Sequence, residues 1–438
     1  MQSVPFDPAD AKAALAQLPQ AAAVYALYGA EAHFEPYIGR TPNLRGRLER
    51  LLQPSAKHPR RLQLAGRVRR IEWRLTGSEF EGLLLQFEML HAIYGPKSLE
   101  RMHLRNPAFV RFLGGNPYPR IVVSHRPSQR EAKWAYGPFA SRAAAERFAD
   151  EALKLFLLRR CTEDLEPHPS HPGCVYSEMK MCLAPCYQGC TDERYGEEAA
   201  AVERFLATRG ESRLVQLRTE RDQASANLEF ESAAALHAQV LRVEAVRALA
   251  PELVRPLAQL GAVILQASAN PGEVAVFLFE NNRLSGPAGF STLGMRIQNE
   301  QSGSSSLFAA PVAIEPVPEM RDQGTGNREQ GIEHEGAALV EESLSIPAGV
   351  APMRKPARGV LDARMEAALV ELADSEAPSP TLRQGHLALL KRWYYRPEAK
   401  RTGEIFFPDA EGRWPVKAIL RGIGRVGARS LTTAAPLK

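Results

Sequence analysis

Between residues 20 and 100 the spacing of apolar positions changes period repeatedly. Val24-Tyr25-Ala26-Leu27-Tyr28 and the stretch from Glu35 to Gly39 predict two short strands of a hairpin, turning near Gly29 to His33. Thr41-Pro42 then precedes a basic amphipathic run, Asn43 to Leu52, which predicts a helix. Val68 to Leu75 predicts a strand. Ser78 predicts the cap of a helix whose apolar positions Leu83, Leu84, Phe87 and Leu90 recur at helical spacing. Residues 106–190 are mixed and loop-rich, and 196–248 are strongly helical, with no proline. Residues 261–293 alternate again, through Ala262-Val263-Ile264-Leu265 and Val274-Ala275-Val276-Phe277-Leu278, and predict a small antiparallel sheet. Residues 299–356 lose the pattern, with serines from Ser302 to Ser306 and a near-repeat of Arg321-Asp322-Gln323-Gly324 at Arg328-Glu329-Gln330-Gly331. They read as a flexible linker. Order resumes near Leu361. The fold class expected is α/β of the α+β kind, in several small domains.

Composition narrows the class. At 438 residues two to four domains are expected, and 45% apolar residues suffice for ordinary cores. No run of about 18 apolar residues is present, which argues against a membrane-spanning helix. Met1 to Asp10 lacks the layout of a secretory signal, and five unevenly spaced cysteines do not read as a disulfide framework. A cytoplasmic protein is the expectation. The net charge of +5 conceals an asymmetry. From Arg40 to Arg74 eleven Lys and Arg face only Glu49 and Glu72, a local +9 that leaves about −4 for the rest. Such a face suits a nucleic-acid backbone or is simply solvated surface.

Three constellations carry chemistry. The first is Val24-Tyr25, Tyr37-Ile38-Gly39-Arg40 and Asn43-Leu44-Arg45-Gly46-Arg47. Phosphodiester hydrolysis needs a group to activate water, cations to steady the phosphorane charge and a metal at the leaving oxygen. Paired tyrosines can position water, Gly39 can let a phosphate approach the backbone, and Arg40 and Arg47 can supply charge. The pattern resembles the GIY-YIG nuclease core, with Ala23 where that family has its first glycine. The resemblance implies a catalytic set of Tyr25, Tyr37, Gly39, Arg40 and Arg47, with Mg²⁺ or Mn²⁺. Three family positions are changed. Gln86 stands where a metal-binding glutamate is expected, Leu99 replaces an asparagine, and Leu51 a helix tyrosine. Glu88 falls on another face of the helix. DNA contacts are expected from Arg45, Arg60, Arg61, Arg67, Arg69 and Arg70.

The second constellation is Cys161, Cys174, Cys182 and Cys186, in the contexts Leu157-Leu158-Arg159-Arg160-Cys161, Gly173-Cys174-Val175-Tyr176 and Cys182-Leu183-Ala184-Pro185-Cys186, downstream of Tyr136-Gly137-Pro138-Phe139. Four soft thiolates suit an iron–sulfur cluster or zinc, and four unrelated buried thiols are the alternative. His168 and His171, flanked by prolines, read as loop punctuation, and Cys190 as a spare. Order and context resemble the UvrC family of the ABC excinucleases, which implies a 4Fe–4S cluster on these four cysteines, with Zn²⁺ as the alternative. The third constellation, Leu228-Glu229-Phe230-Glu231-Ser232-Ala233-Ala234-Ala235-Leu236, resembles the UVR helical hairpin. That likeness implies docking onto UvrB, the helicase-like component of the excinuclease, through Leu228, Phe230, Ala233, Ala234 and Leu236.

Two C-terminal features are more ambiguous. Leu420-Arg421-Gly422-Ile423-Gly424 fits a helix-hairpin-helix phosphate-binding turn. Lys391-Arg392-Trp393-Tyr394-Tyr395-Arg396 interleaves cations with aromatics, as a nucleic-acid surface or a half-buried helix end would. The expected organisation is a GIY-YIG-like domain at 15–105, a cysteine-rich segment at 106–195, a UVR-like hairpin at 196–250, a small β-rich segment at 251–298, a linker at 299–356 and a basic region at 357–438. No Asp-x-Ser-His start of an RNase H-type nuclease follows Leu293. Two functions are expected as alternatives. One is a DNA-repair protein making a single-strand incision; the other is an inactive DNA-binding adaptor that docks onto UvrB.

Overall fold

A computed structural model of the chain describes residues 1–31, 34–52, 64–125, 129–292, 358–374 and 378–433. The stretch read as a linker, with Arg60 and Arg61, lies outside them. The N-terminal sheet comprises β1 (Gln2–Pro5), β2 (Ala23–Gly29), β3 (Tyr37–Thr41) and β4 (Val68–Leu75), antiparallel in the order β1-β4-β2-β3. β1 has no counterpart in the sequence pattern. It is a four-residue edge strand ending in Pro5, a place where proline's missing N–H is tolerated. β3 begins at Tyr37 rather than Glu35.

Register sorts this sheet into two faces. Tyr25 lies opposite Gly39 and Trp73, and Leu27 opposite Tyr37 and Ile71, so these residues share one side. On that side α1 (Ala11–Ala16) and α2 (Leu44–Leu52) add Leu15, Leu44, Leu48 and Leu52 to a closed core. The other side carries Val24, Ile38, Arg40, Glu72 and Arg74 and meets α3 (Glu79–Tyr94). Ser78 caps α3 as expected, its Oγ accepting the Glu81 N–H at 3.1 Å.

A short α4 (Lys97–Arg101) leads to the second sheet, β5 (Ala108–Phe112), β6 (Ile121–Ser124), β7 (Ala135–Phe139) and β8 (Arg255–Pro256), in the order β6-β5-β7-β8. α5 (Arg142–Leu153) packs on it, followed by the short α6 (Val175–Glu178) and by α7 (Asp192–Ala207). α8 (Glu211–Ala226) and α9 (Phe230–Ala248) form an antiparallel pair, tied by Arg218–Glu244 and Arg247–Glu211 at 2.8 Å each.

The third sheet joins segments that the sequence pattern separates. β9 (Ala262–Ala267), β10 (Glu273–Glu280) and β11 (Arg283–Ser291) form the expected antiparallel set, and β12 (Glu404–Phe406) pairs with β9 to give the order β11-β10-β9-β12. α10 (Arg358–Ala373), α11 (Pro380–Tyr394) and α12 (Val416–Thr433) pack around it. The C-terminal basic region is therefore a folded part of the body. α11 also reaches α3. A Cβ at Gly385 would stand 1.9 Å from the Phe87 ring, so only glycine admits that ring against the helix.

The expected phosphate-binding turn at Leu420–Gly424 is not formed. Those residues lie within α12, where a Cβ at Gly422 would come within 2.5 Å of Phe406 and one at Gly427 within 2.7 Å of Thr292. These glycines let a helix lie close on a sheet. Trp393 is likewise buried, its indole N–H donating to Thr402 O, and the Tyr395 hydroxyl donates to Pro138 O. The aromatic–cation run is the packed end of α11.

Beside Phe87, the buried His386 ring accepts the Leu284 N–H at Nδ1, 3.1 Å away. Burial, with Arg283 and His91 adding to it, holds the imidazole down to about 3 from 6.5. The folded state therefore refuses a proton that the unfolded chain accepts. This contribution to stability is complete above pH 6.5 and is lost as pH falls toward 3. Glu88, raised by burial to about 7, works in the opposite sense between 4.5 and 7. His386→Gln keeps an acceptor for Leu284 and removes the titration. Denaturant midpoints followed from about pH 7.5 to about pH 4 should fall more steeply for the wild type than for the variant; parallel curves would contradict this.

Candidate functional site

The tyrosine pair of the first motif sits on the α2 side of the N-terminal sheet. The rings of Tyr25 and Tyr37 lie 6.2 Å apart, Tyr25 almost wholly buried and Tyr37 39% exposed. Arg47, one turn into α2, lies beside both tyrosines and acts on them electrostatically. Burial raises the Tyr25 pKa above its ordinary value, and the Arg47 guanidinium draws it part of the way back. Tyr25 is therefore a reluctant base, and the accessible Tyr37 is the better placed to meet a substrate. Gly39 has a different role from the one expected. A Cβ there would lie 2.6 Å from the Tyr25 ring, so the glycine makes room for a cross-strand tyrosine rather than for a phosphate.

Arg40 does not join this group. One residue on from Gly39, it projects from the opposite face, where its guanidinium meets Glu79 at 3.2 Å on α3. Gly82 gives its stem room, since a Cβ there would approach the Arg40 side chain to 2.8 Å. Glu79 also takes both terminal nitrogens of Arg396, at 2.7 and 2.8 Å, and Arg396 with Arg40 holds its carboxyl down to about 2. No sequence signal marks a partner 317 positions away. Of the other α3 carboxylates, Glu81 is buried and accepts the Gly77 N–H, while Glu88 stands 3.9 Å from the neutral His386 ring without an ion pair to it. Gln86 is half-buried on the same helix, Leu51 packs against the N-terminal core, and Leu99 packs beside α3. With Gln86 neutral, and Glu79 and Glu81 committed on the face away from the tyrosines, the residues present do not fit a catalytic Mg²⁺ or Mn²⁺ beside the tyrosine pair.

The expected DNA face is partly spent on the protein itself. Arg45 donates to Leu18 O at 2.6 Å, and Arg69 donates to Gly66 O and Val68 O. Arg70 pairs with Glu72 at 3.1 Å and stacks on Tyr28, and Arg67 lies over Phe34 and 3.9 Å from Glu31.

The four motif cysteines come into one neighbourhood. The Cys182 thiol is pushed up to about 11, first by burial and then by Cys161, Cys174 and Cys186 together. Its sulfur accepts the Ala184 N–H at 3.3 Å. Among the described residues no group of three or more Cys, His, Asp or Glu stands at metal-holding spacing, so the thiols share a locale without a closed ligand shell. Their chemistry nonetheless fits a soft metal or cluster. Arg159, part of the Cys161 context but given no role there, lies 98% buried beside them, donating to Cys161 Sγ, Glu163 O and Tyr118 O. A guanidinium so placed suits a region that carries negative charge. His168 and His171 accept backbone N–H groups of Ser170 and Gly173, as loop residues do.

At the α8–α9 tip Leu228 adopts a left-handed backbone, φ 62°, and stands 73% exposed beside Phe230 at 65%. Ala234 is also exposed, and Ala233 and Leu236 are half-buried against the partner helix. The apolar stripe expected there is thus half packing and half open surface.

Residues 110–205, which contain the four cysteines, match the family described as UvrC/Cho excinuclease, middle domain, and residues 211–246, the α8–α9 hairpin, match the UvrB/uvrC motif. The chain is 29% identical to UvrABC system protein C of Alcanivorax borkumensis over 48% of this chain and 34% of that protein. It is 28% identical to the Ruminiclostridium cellulolyticum protein of the same name over 68% and 48% respectively, and to that of Pseudomonas aeruginosa over 53% and 38%. It thus spans between a third and a half of the length of these relatives. No solved structure matches it. Over residues 110–246 the chain thus resembles UvrC proteins, with that middle domain followed by that motif.

Proposed function

We propose that this chain is a UvrC-like protein of nucleotide excision repair that binds DNA and docks onto a UvrB-type partner, with little or no cleavage of its own. The observation that carries the reading is the open tip of the α8–α9 hairpin, where Leu228 and Phe230 present apolar surface within the stretch that matches the UvrB/uvrC motif. Exposed aromatic and aliphatic anchors on a rigid hairpin are what a partner's groove recognises. Replacing Phe230 and Leu228 with serine should weaken binding to UvrB by about tenfold or more in a pull-down or titration, without shifting the chain's own melting temperature. Full binding by that variant would remove the hairpin from the interface.

The engaged Glu79 and Glu81 of α3, with Gln86, support weak cleavage. Wild-type protein should bind damaged plasmid without nicking it at any Mg²⁺ or Mn²⁺ level. Gln86→Glu alone should not restore cutting, because Leu51 and Leu99 are changed too. A second reading, a single-strand endonuclease of GIY-YIG type, is favoured by one feature, Arg47 lying beside the tyrosine pair. In that reading Tyr37 orients the attacking water and Arg47 steadies the phosphorane charge. Robust nicking abolished by Tyr37→Phe would establish it and overturn the first.

The cysteines are proposed to hold a 4Fe–4S cluster, with zinc as the alternative. Either would brace the loop between Cys161 and Cys186. Anaerobically purified protein should be brown and contain iron, and Cys182→Ala should lose the metal. A colourless protein with one zinc per chain would keep the site and reject the cluster; no metal at all would reject the site.

A further inference from the structure

α12 carries Lys417, Arg421, Arg425 and Arg429, each four residues from the next, and contains no Asp or Glu. Ile419, Gly422, Ile423, Val426 and Gly427 are buried on the opposite side, against β9, β10 and α10. At a rise of about 1.5 Å per residue the four cations form a row about 18 Å long, exposed at Lys417, Arg421 and Arg429 and half-buried at Arg425. Ala418 and Ala428 lie between them. Like charges four residues apart destabilise a helix, and α12 contains three such pairs in succession. Glu404 of β12 braces part of the row, taking Arg425 at 2.9 Å and approaching Arg429 at 3.9 Å, while Lys417 and Arg421 are exposed.

We propose that this outward face of α12 is a second nucleic-acid surface, one that takes the phosphate backbone of duplex DNA. Charge complementarity identifies the occupant. A row of cations spaced about 6 Å apart along a rigid helix suits a line of phosphates. An anionic bilayer is the competing polyanion, but interfacial helices insert an apolar face, and that of α12 is already buried in the protein. On the N-terminal face Arg45 and Arg69 are held by backbone carbonyls, whereas Lys417 and Arg421 stand exposed on α12.

The proposal rests on the DNA-binding reading above. The test uses the full chain and a short labelled duplex, titrated between about 50 and 200 mM salt. Lys417→Glu with Arg421→Glu should weaken binding roughly tenfold or more. Lys417→Gln with Arg421→Gln should make the dependence of log affinity on log salt shallower by about 2, one for each phosphate no longer neutralised. Both residues are exposed and the glutamine pair removes their like-charge pairing, so the denaturation midpoint should not fall; if the glutamate pair misfolds, the glutamine pair decides. Unchanged affinity and slope would overturn the proposal. So would loss of binding to phosphatidylserine vesicles with DNA binding intact, which would make α12 a lipid surface. If Arg45→Glu with Arg47→Glu abolishes DNA binding and the α12 pairs do not, the DNA reading stands and this surface falls. A wild type that binds no duplex overturns both.

Discussion

The seating of Phe87 on Gly385 is the constraint on which much else depends. Phe87 belongs to an apolar stripe of α3 whose neighbours include Ile38 of the first sheet, Phe277 of the third and Leu387 of α11. One helix thereby joins the N-terminal sheet, the third sheet and the C-terminal helices in a single core. A buried phenylalanine is worth several kcal/mol of stability, more than any exposed ion pair around it. The position of α3 in turn determines where its polar residues can point. Glu79 is delivered to Arg40 and Arg396, Glu81 to the Gly77 backbone and Glu88 toward His386. The helix that carries the expected metal position is therefore used as a structural brace.

Strand parity divides the first motif. Tyr25, Tyr37 and Gly39 fall on one face by register, and Arg40 on the other. That division was legible in the residue numbers once a strand had been inferred, because side chains alternate. The partner of Arg40 was not. Glu79 lies beyond a stretch of loop and strand, and Arg396 is hundreds of residues away. Local pattern carries no information about such pairings. The spacing of α3, the β9–β11 set and the α8–α9 hairpin were readable for the converse reason: each is formed by neighbours in sequence.

The C-terminal glycines show how a composition cue misleads. Gly422 and Gly424 lie two apart, as in a phosphate-binding turn, yet Gly422, with Gly427 further on, instead serves a helix that must approach a sheet closely. What separates the two is the strand under the helix, and that strand, β9, is distant in sequence. The Cys161-to-Cys186 segment behaves differently. Its order and flanking residues were legible, while the buried guanidinium of Arg159 emerged only from the fold.

The pairing of β12 with β9 bears on how the protein is made. Ile264 and Ile405 face each other across that ladder, far apart in sequence, and closing so long a loop costs little more than closing one half its length. The cost is therefore kinetic rather than energetic. During synthesis β9 is complete well before its neighbour leaves the ribosome, and it waits with a bare row of amide and carbonyl groups. Until β12 arrives, that edge is open to a strand of another chain.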